Sequence, residues 1–198
     1  HHVGNLVLSL RRLQVLAQFE EITFLNVDLE PHYRQTLVMF AKELDHIKKT
    51  YMSDREDPAI PRNTPPIAGR IAWARNLWSR VEAPMTQLQE LCSGLFTEVG
   101  SKKVVKSYNK VGKVLMDYEM VCHSAWVRAV DKAVEGLQST VLIVSDETGK
   151  LEVNADPQVL QLVSESMWMT KLSLESTANA AMLIEVADNF KERTDLLR

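Results

Sequence analysis

Hydrophobic residues recur every three or four positions along most of the chain, a spacing typical of amphipathic helices. Each such run forms an apolar stripe along one face of a helix. The first stripe predicts a helix from about Asn5 to Leu25, and the second predicts a helix that Asp28 caps and that continues to about residue 51. A third stripe starts behind a cluster of prolines, with Thr64 as the expected N-cap and Pro65 as the first helical residue. Pro84 interrupts that stripe and predicts a kink within one helix.

A fourth stripe follows Gly100 and runs from Val104 at spacings of four and three to Ala125 and Ala129, so the third and fourth stripes together predict a long helical hairpin. The spacing changes at Thr140, where β-branched residues, then turn residues, then a second extended run predict a β-hairpin near residues 140–154. Pro157 then opens a shorter helix, and a last helix begins near residue 176. The sequence therefore predicts a mainly α fold of consecutive antiparallel helical bundles with one small β-hairpin.

The same patterns divide the chain into five expected segments. These are the end of one helical bundle (1–57), a proline-rich corner (58–66), the long helical hairpin (67–138), the β-hairpin (139–155) and the start of the next bundle (156–198). The first and last helices lack convincing caps, so we expect the chain to be a piece of a longer helical protein.

Composition and charge exclude several classes of function. The chain has 198 residues, 45% of them hydrophobic and 25% charged, with a net charge of −3, so bulk charge would not draw it to nucleic acid or to an anionic membrane. The sequence has no apolar run of the roughly 20 residues that a membrane-spanning helix needs, and no signal peptide. Its two cysteines fit a reducing, cytoplasmic compartment.

No motif in the sequence indicates catalysis. The stretch from Gly94 to Lys102 has the wrong spacing for a phosphate-binding loop and follows a helix, not a strand. His123 beside Cys122 would point about 100° away from it on a helix, and no pattern of histidines or cysteines has metal-ligand spacing. We therefore predict no catalytic, cofactor-binding or metal site in this segment, which makes a small enzyme the weakest hypothesis.

A row of lysines is the most unusual local feature. Lys103, Lys106, Lys110 and Lys113 recur at spacings of three and four at the start of a predicted helix, where positive charge opposes the helix dipole. A solvated face is the ordinary explanation for such a row. Contact with an acidic partner surface is the other, and it makes these four lysines candidate partner-facing residues.

The run from Arg62 to Leu77, RNTPPIAGRIAWARNL, resembles a segment of the tail of axonemal, outer-arm-like dynein heavy chains. KSYNKV at residues 106–111 and GKLEVNADPQVL at residues 149–160 are similar to the same family in the same order. The resemblance covers most of the chain from about Tyr33. Two departures are Ala155, where many relatives have an aromatic residue, and Ser164-Glu165-Ser166 in place of a more basic run, which predicts looser packing or a different neighbour for the last helix.

The resemblance implies a segment of the N-terminal stem, which links the motor heads to the base of the complex in the axoneme of cilia and flagella. Its implied partners are the WD-repeat intermediate chain and neighbouring heavy chains, and nucleotide hydrolysis would lie elsewhere in the heavy chain.

Consecutive prolines restrict the backbone, so we expect a rigid structural corner formed by Pro65 and Pro66 and packed by Gly69 and Trp73. An independent helical adaptor or tether of the spectrin type is the alternative.

Overall fold

The computed structural model describes residues 3–18, 28–91, 96, 99–136, 142–144, 151–153 and 157–196. Within these ranges the chain is mainly helical, and the predicted fold class is confirmed to that extent. The helices are α1 (Val3–Leu16), α2 (Glu30–Asp54), α3 (Pro66–Leu91), α4 (Val99–Gly136), α5 (Pro157–Lys171) and α6 (Ala178–Leu196). None of the helices in these ranges is both long and apolar enough to span a bilayer.

The buried face of α2 follows its sequence, and its start differs by one residue. Leu29 occupies the N-cap position without a side-chain cap, so the expected cap at Asp28 is wrong by one position. The Asp28 carboxylate still accepts a hydrogen bond from the Glu30 N–H at 3.0 Å, and a proline occupies the first turn, where its missing N–H would have no intrahelical acceptor. The apolar stripe predicted for this helix is confirmed as its buried face, comprising Leu37, Phe40, Leu44 and Ile47. Helix α1 ends at Leu16 and residues 17–18 form a turn, so the prediction of one helix that continues to Leu25 is wrong; residues 19–27 lie outside the described residues.

Two short strands lie between the fourth and fifth helices. Strand β1 (Leu142–Val144) pairs antiparallel with β2 (Leu151–Val153), and Ile143 lies opposite Glu152. The turn expected between them falls outside the described residues. The complete β-hairpin therefore stays a prediction.

The chain forms two compact units. The first contains residues 1–59 and 73–118, and the second contains residues 60–72 and 119–198. The division falls within α3, between Ala72 and Trp73, and within α4, between Tyr118 and Glu119. The five segments expected from the sequence stay predictions.

The first unit has a continuous hydrophobic core to which four helices contribute. Its buried members are Val3, Val7, Leu37, Phe40, Leu44, Ile47, Ala74, Leu77, Val81, Met85, Leu88, Val111 and Leu115. Pro84 lies inside α3, which continues past it to Leu91 as one helix. Because this core draws on helices far apart in sequence, it holds the two ends of the unit together.

The second unit is built on the packing of α5 against α6, with α6 also contacting β2. Its buried apolar residues come from the start of α3, the second half of α4, and both later helices. They are Ala68, Ile71, Cys122, Trp126, Val130, Met169, Ala180 and Leu183.

Candidate structural corner and partner-facing surface

The proline-rich segment forms a tight turn before α3. The Thr64 N–H donates to the Pro61 carbonyl at 3.2 Å, and Asn63 has a φ of 64°, in the left-handed region that asparagine tolerates better than most residues. Pro65 is buried while Pro66 is exposed. The turn and the two prolines together fix the direction in which the chain enters the helix.

Helix α3 starts one residue later than the sequence predicts. The Gly69 N–H donates to the Pro65 carbonyl at 2.8 Å, so Pro65 occupies the N-cap position and Pro66 is the first helical residue. The expected N-cap role of Thr64 and the expected place of Pro65 inside the helix are therefore wrong by one position. Proline has no side-chain acceptor, so this helix needs its cap from elsewhere.

That cap is Glu165, a residue of α5. One carboxylate oxygen of Glu165 accepts from the Ile67 N–H and the other from the Ala68 N–H, each at 2.8 Å. The Glu165 side chain is fully buried. Burial raises the pKa of the Glu165 carboxyl above its ordinary value, while the two N–H groups act in the opposite direction.

Gly69 lies directly against Ile60 at the corner. A Cβ added at Gly69 would overlap Cγ2 of Ile60 and would lie 3.2 Å from its Cδ1. Glycine therefore permits the close approach of the turn to the first turn of α3. The role of Gly69 in packing a rigid corner stays a prediction.

Replacing Gly69 with alanine is expected to lower the free energy of unfolding by about 1–2 kcal/mol, because Ile60 must move. The matched control is Gly4→Ala in α1, where the new Cβ would lie 3.8 Å from Cγ of Pro84, an ordinary contact. The control should be neutral or slightly stabilising, since alanine favours helix more than glycine does. Chemical denaturation of both variants checks this; equal effects would contradict the close approach at Gly69.

Trp73 belongs to an aromatic cluster of the first unit. Its ring stacks on Tyr51 with centroids 6.2 Å apart and meets Tyr118 edge-on at 5.8 Å. The Tyr118 hydroxyl donates to the Arg55 carbonyl at 2.8 Å, which ties the cluster to the end of α2. Pro65, Pro66 and Gly69 lie in the second unit. The structure thus brings three of the four predicted corner residues together and places Trp73 among other aromatic side chains.

A second aromatic contact joins α3 and α4 within the first unit. The rings of Trp78 and Tyr108 lie 4.8 Å apart, and a Cβ added at Gly112 would lie 2.8 Å from Cη2 of Trp78. The Trp78 ring therefore packs against the backbone of α4. Burial raises the pKa of the Tyr108 hydroxyl, and the charge of Glu82 raises it further.

The lysine row lies on an exposed face of α4. Lys103, Lys106, Lys110 and Lys113 are all exposed, as is Lys102 beside them. Across the described parts of the chain, none of these side chains forms an ion pair. Two acids precede the row along the chain: Glu90 is exposed, and Glu98 lies outside the described residues.

Cys122 and His123 pack within the fold, and the described residues form no metal-binding group. No group of three His, Cys, Asp or Glu residues in the described ranges could hold a metal ion. Cys122 is buried, and the ring of His123 packs on Trp126 with centroids 5.2 Å apart. Packing therefore explains the adjacent cysteine and histidine.

An open pocket of about 620 Å³ lies in the first unit beside Pro84. Gly4, Asn76, Ser79 and Arg80 also line it. The Arg80 guanidinium pairs with the Glu43 carboxylate. The charge of Arg80 is thus matched within the chain.

The comparison with known proteins decides the family. The family model for dynein heavy chain, N-terminal region 1, matches residues 4–198. The chain belongs to this dynein heavy-chain family.

Three relatives show how strong the similarity is. The chain is 37% identical over 182 residues to the dynein gamma chain of the flagellar outer arm of Chlamydomonas reinhardtii, and 38% identical over 180 residues to mouse dynein axonemal heavy chain 5. It is 34% identical over 190 residues to human dynein axonemal heavy chain 8. These alignments cover 90%, 91% and 95% of this dynein segment and 4% of each relative. The suspected resemblance to axonemal dynein heavy chains is confirmed.

Proposed function

We propose that this dynein segment is a structural and assembly element of a heavy-chain stem in the axoneme of cilia or flagella. It links the motor heads to the base of the complex and docks accessory chains. The observation that carries the proposal is the match of residues 4–198 to the N-terminal region of dynein heavy chains. That match favours a stem segment over an independent helical adaptor.

The segment acts mechanically in this proposal and not as an enzyme. The core of the first unit combines helices from residue 3 to residue 115, so a force applied at one helix is shared by the others. The capped start of α3 and the close packing of Gly69 on Ile60 give the corner of Pro65 and Pro66 a defined geometry. Nothing in this role requires a cofactor.

The partner-facing part of the proposal rests on the lysine row. Four exposed lysines without ion pairs in the described residues would attract a partner that presents carboxylates. The proposed partners are the WD-repeat intermediate chain or a neighbouring heavy chain. Because the lysines are exposed, salt should weaken the attraction.

Reversing the charge of Lys103, Lys106, Lys110 and Lys113 to glutamate in the intact heavy chain is expected to reduce intermediate-chain or heavy-chain association by roughly ten- to hundred-fold at low salt. Co-purification and binding titrations at two salt concentrations measure the effect. The control reverses four exposed lysines elsewhere, Lys42, Lys48, Lys49 and Lys132, which gives the same change in net charge. Equal loss in both variants, or no loss in either, would reject the lysine row as a docking surface.

A further inference from the structure

The first turn of α3 has an unusual set of hydrogen-bond donors. A helix normally begins with four N–H groups that lack intrahelical acceptors. In α3 the first two of these positions are Pro65 and Pro66, which have no N–H, and the other two are Ile67 and Ala68. The two oxygens of Glu165 bind these remaining N–H groups, so every donor of the helix start is satisfied or absent.

No nearby side chain could easily replace Glu165. The first turn of α3 contains no acidic residue, and its N-cap position holds a proline. Ala68 is fully buried, so water does not take the place of the carboxylate at its N–H. A buried N–H left without an acceptor is costly, which makes the start of α3 dependent on a residue 97 positions later in the chain.

The buried face of α5 is also built around this contact. Its buried residues are Glu165, Ser166 and Met169, and Ser166 donates to the Leu162 carbonyl of its own helix at 2.7 Å. Among the described residues Glu165 is the one charged side chain that is buried. The run Ser164-Glu165-Ser166 supplies a buried contact to the start of α3, while its expected effect on the packing or the neighbour of the last helix stays a prediction.

We infer that Glu165 is a positioning residue that holds the proline-rich corner against α5. Residues 60–68 then separate from α5 when the Glu165 carboxylate is removed. The partly positive end of α3 and its two N–H groups hold the carboxylate. Within the second unit, the same pair of hydrogen bonds sets the first helical turn of α3 and ties the preceding turn to α5. The inference does not depend on the proposed stem function.

The test is amide hydrogen exchange at Ile67 and Ala68 in the intact protein. Glu165→Gln keeps one acceptor oxygen, and Glu165→Ala removes both; exchange at these amides should become roughly ten- to hundred-fold faster in the alanine variant and less so in the glutamine variant. Glu185→Gln, at an exposed position of α6, is the matched control and should leave exchange unchanged. If exchange at Ile67 and Ala68 stays within twofold of the parent in both Glu165 variants, the inference is overturned.

A second variant distinguishes two roles of Glu165: holding the corner against α5, and capping the start of α3 alone. Pro65→Ser places one side-chain acceptor at the N-cap, so in the Glu165→Ala background it should restore protection at one of the two amides, Ile67 or Ala68. The Thr64 amide, which donates to the Pro61 carbonyl, should still exchange faster than in the parent because the turn is no longer tied to α5. Full recovery of exchange protection at the Thr64 amide would overturn the inference that Glu165 holds the corner against α5, and would leave Glu165 as a helix cap alone. Partner binding enters neither measurement, so failure here would not affect the proposed stem function.

Discussion

Replacing Trp78 with alanine is expected to lower the free energy of unfolding by about 3 kcal/mol, without any effect on chemistry. This loss lies at the lower end of the range for truncating a buried tryptophan to alanine, because the Trp78 ring is only half-buried. Its contacts are nevertheless specific, since it packs on Tyr108 and against the backbone at Gly112. Thermal or chemical denaturation measures the loss; a change below about 1 kcal/mol would contradict this packing.

Gly112 provides an internal control for the same contact. Gly112→Ala should destabilise the parent by about 1–3 kcal/mol, because the new Cβ would lie 2.8 and 2.9 Å from two ring carbons of Trp78. In the Trp78→Ala background the ring is gone, and the same change should stabilise by about 0.5–1 kcal/mol, as is usual within a helix. A double-mutant cycle that shows the same effect in both backgrounds would reject the contact between ring and backbone.

Trp126→Ala is expected to have the largest effect in the second unit, about 3–5 kcal/mol, because this ring is fully buried. Trp126→Phe should lower the free energy of unfolding by much less, about 1 kcal/mol. The indole N–H has no acceptor among the described residues, so removing this buried donor offsets part of the cost of the smaller ring. Arg128→Ala, at an exposed position of the same helix, should stay within about 0.5 kcal/mol of the parent. Denaturation of the three variants checks this order, and a phenylalanine variant as unstable as the alanine variant would contradict it.

The hydrophobic pattern predicted the buried face of α2 well and that of α4 less well. In α2 the buried residues Leu37, Phe40 and Leu44 span only about two turns. Over so short a segment, periods of about 3.5 and 3.6 residues per turn place them on the same face. In α4 an alternation of four and three residues predicted Ala125 and Ala129 on the buried stripe, but the structure buries Trp126 and Val130. A straight helix has 3.6 residues per turn, so over 38 residues its buried stripe drifts away from a strict heptad pattern.

The capping of α3 could not be predicted from the sequence. A glutamate within a helix is ordinarily exposed, so Glu165 carried no sign of its burial. The sequence offered Thr64 as a local cap, and only the later start of the helix, with a proline at the N-cap and no acidic residue in the first turn, leaves the N–H groups without a local acceptor. Which distant residue provides that acceptor depends on tertiary packing.

The division of the second unit along the chain has a consequence for synthesis on the ribosome. Residues 60–72 are made before residues 73–118 of the first unit, yet their own unit is completed only by residues 119–198. At about 5–20 residues per second, roughly 5–20 s pass between the synthesis of Ala68 and that of Glu165, 97 residues later. During this interval the start of α3 has no cap and Ile71 has no partners from the later helices. Translation rate, and chaperones that act on the nascent chain, should therefore influence the yield of correctly folded protein more than they would for a unit whose residues are contiguous.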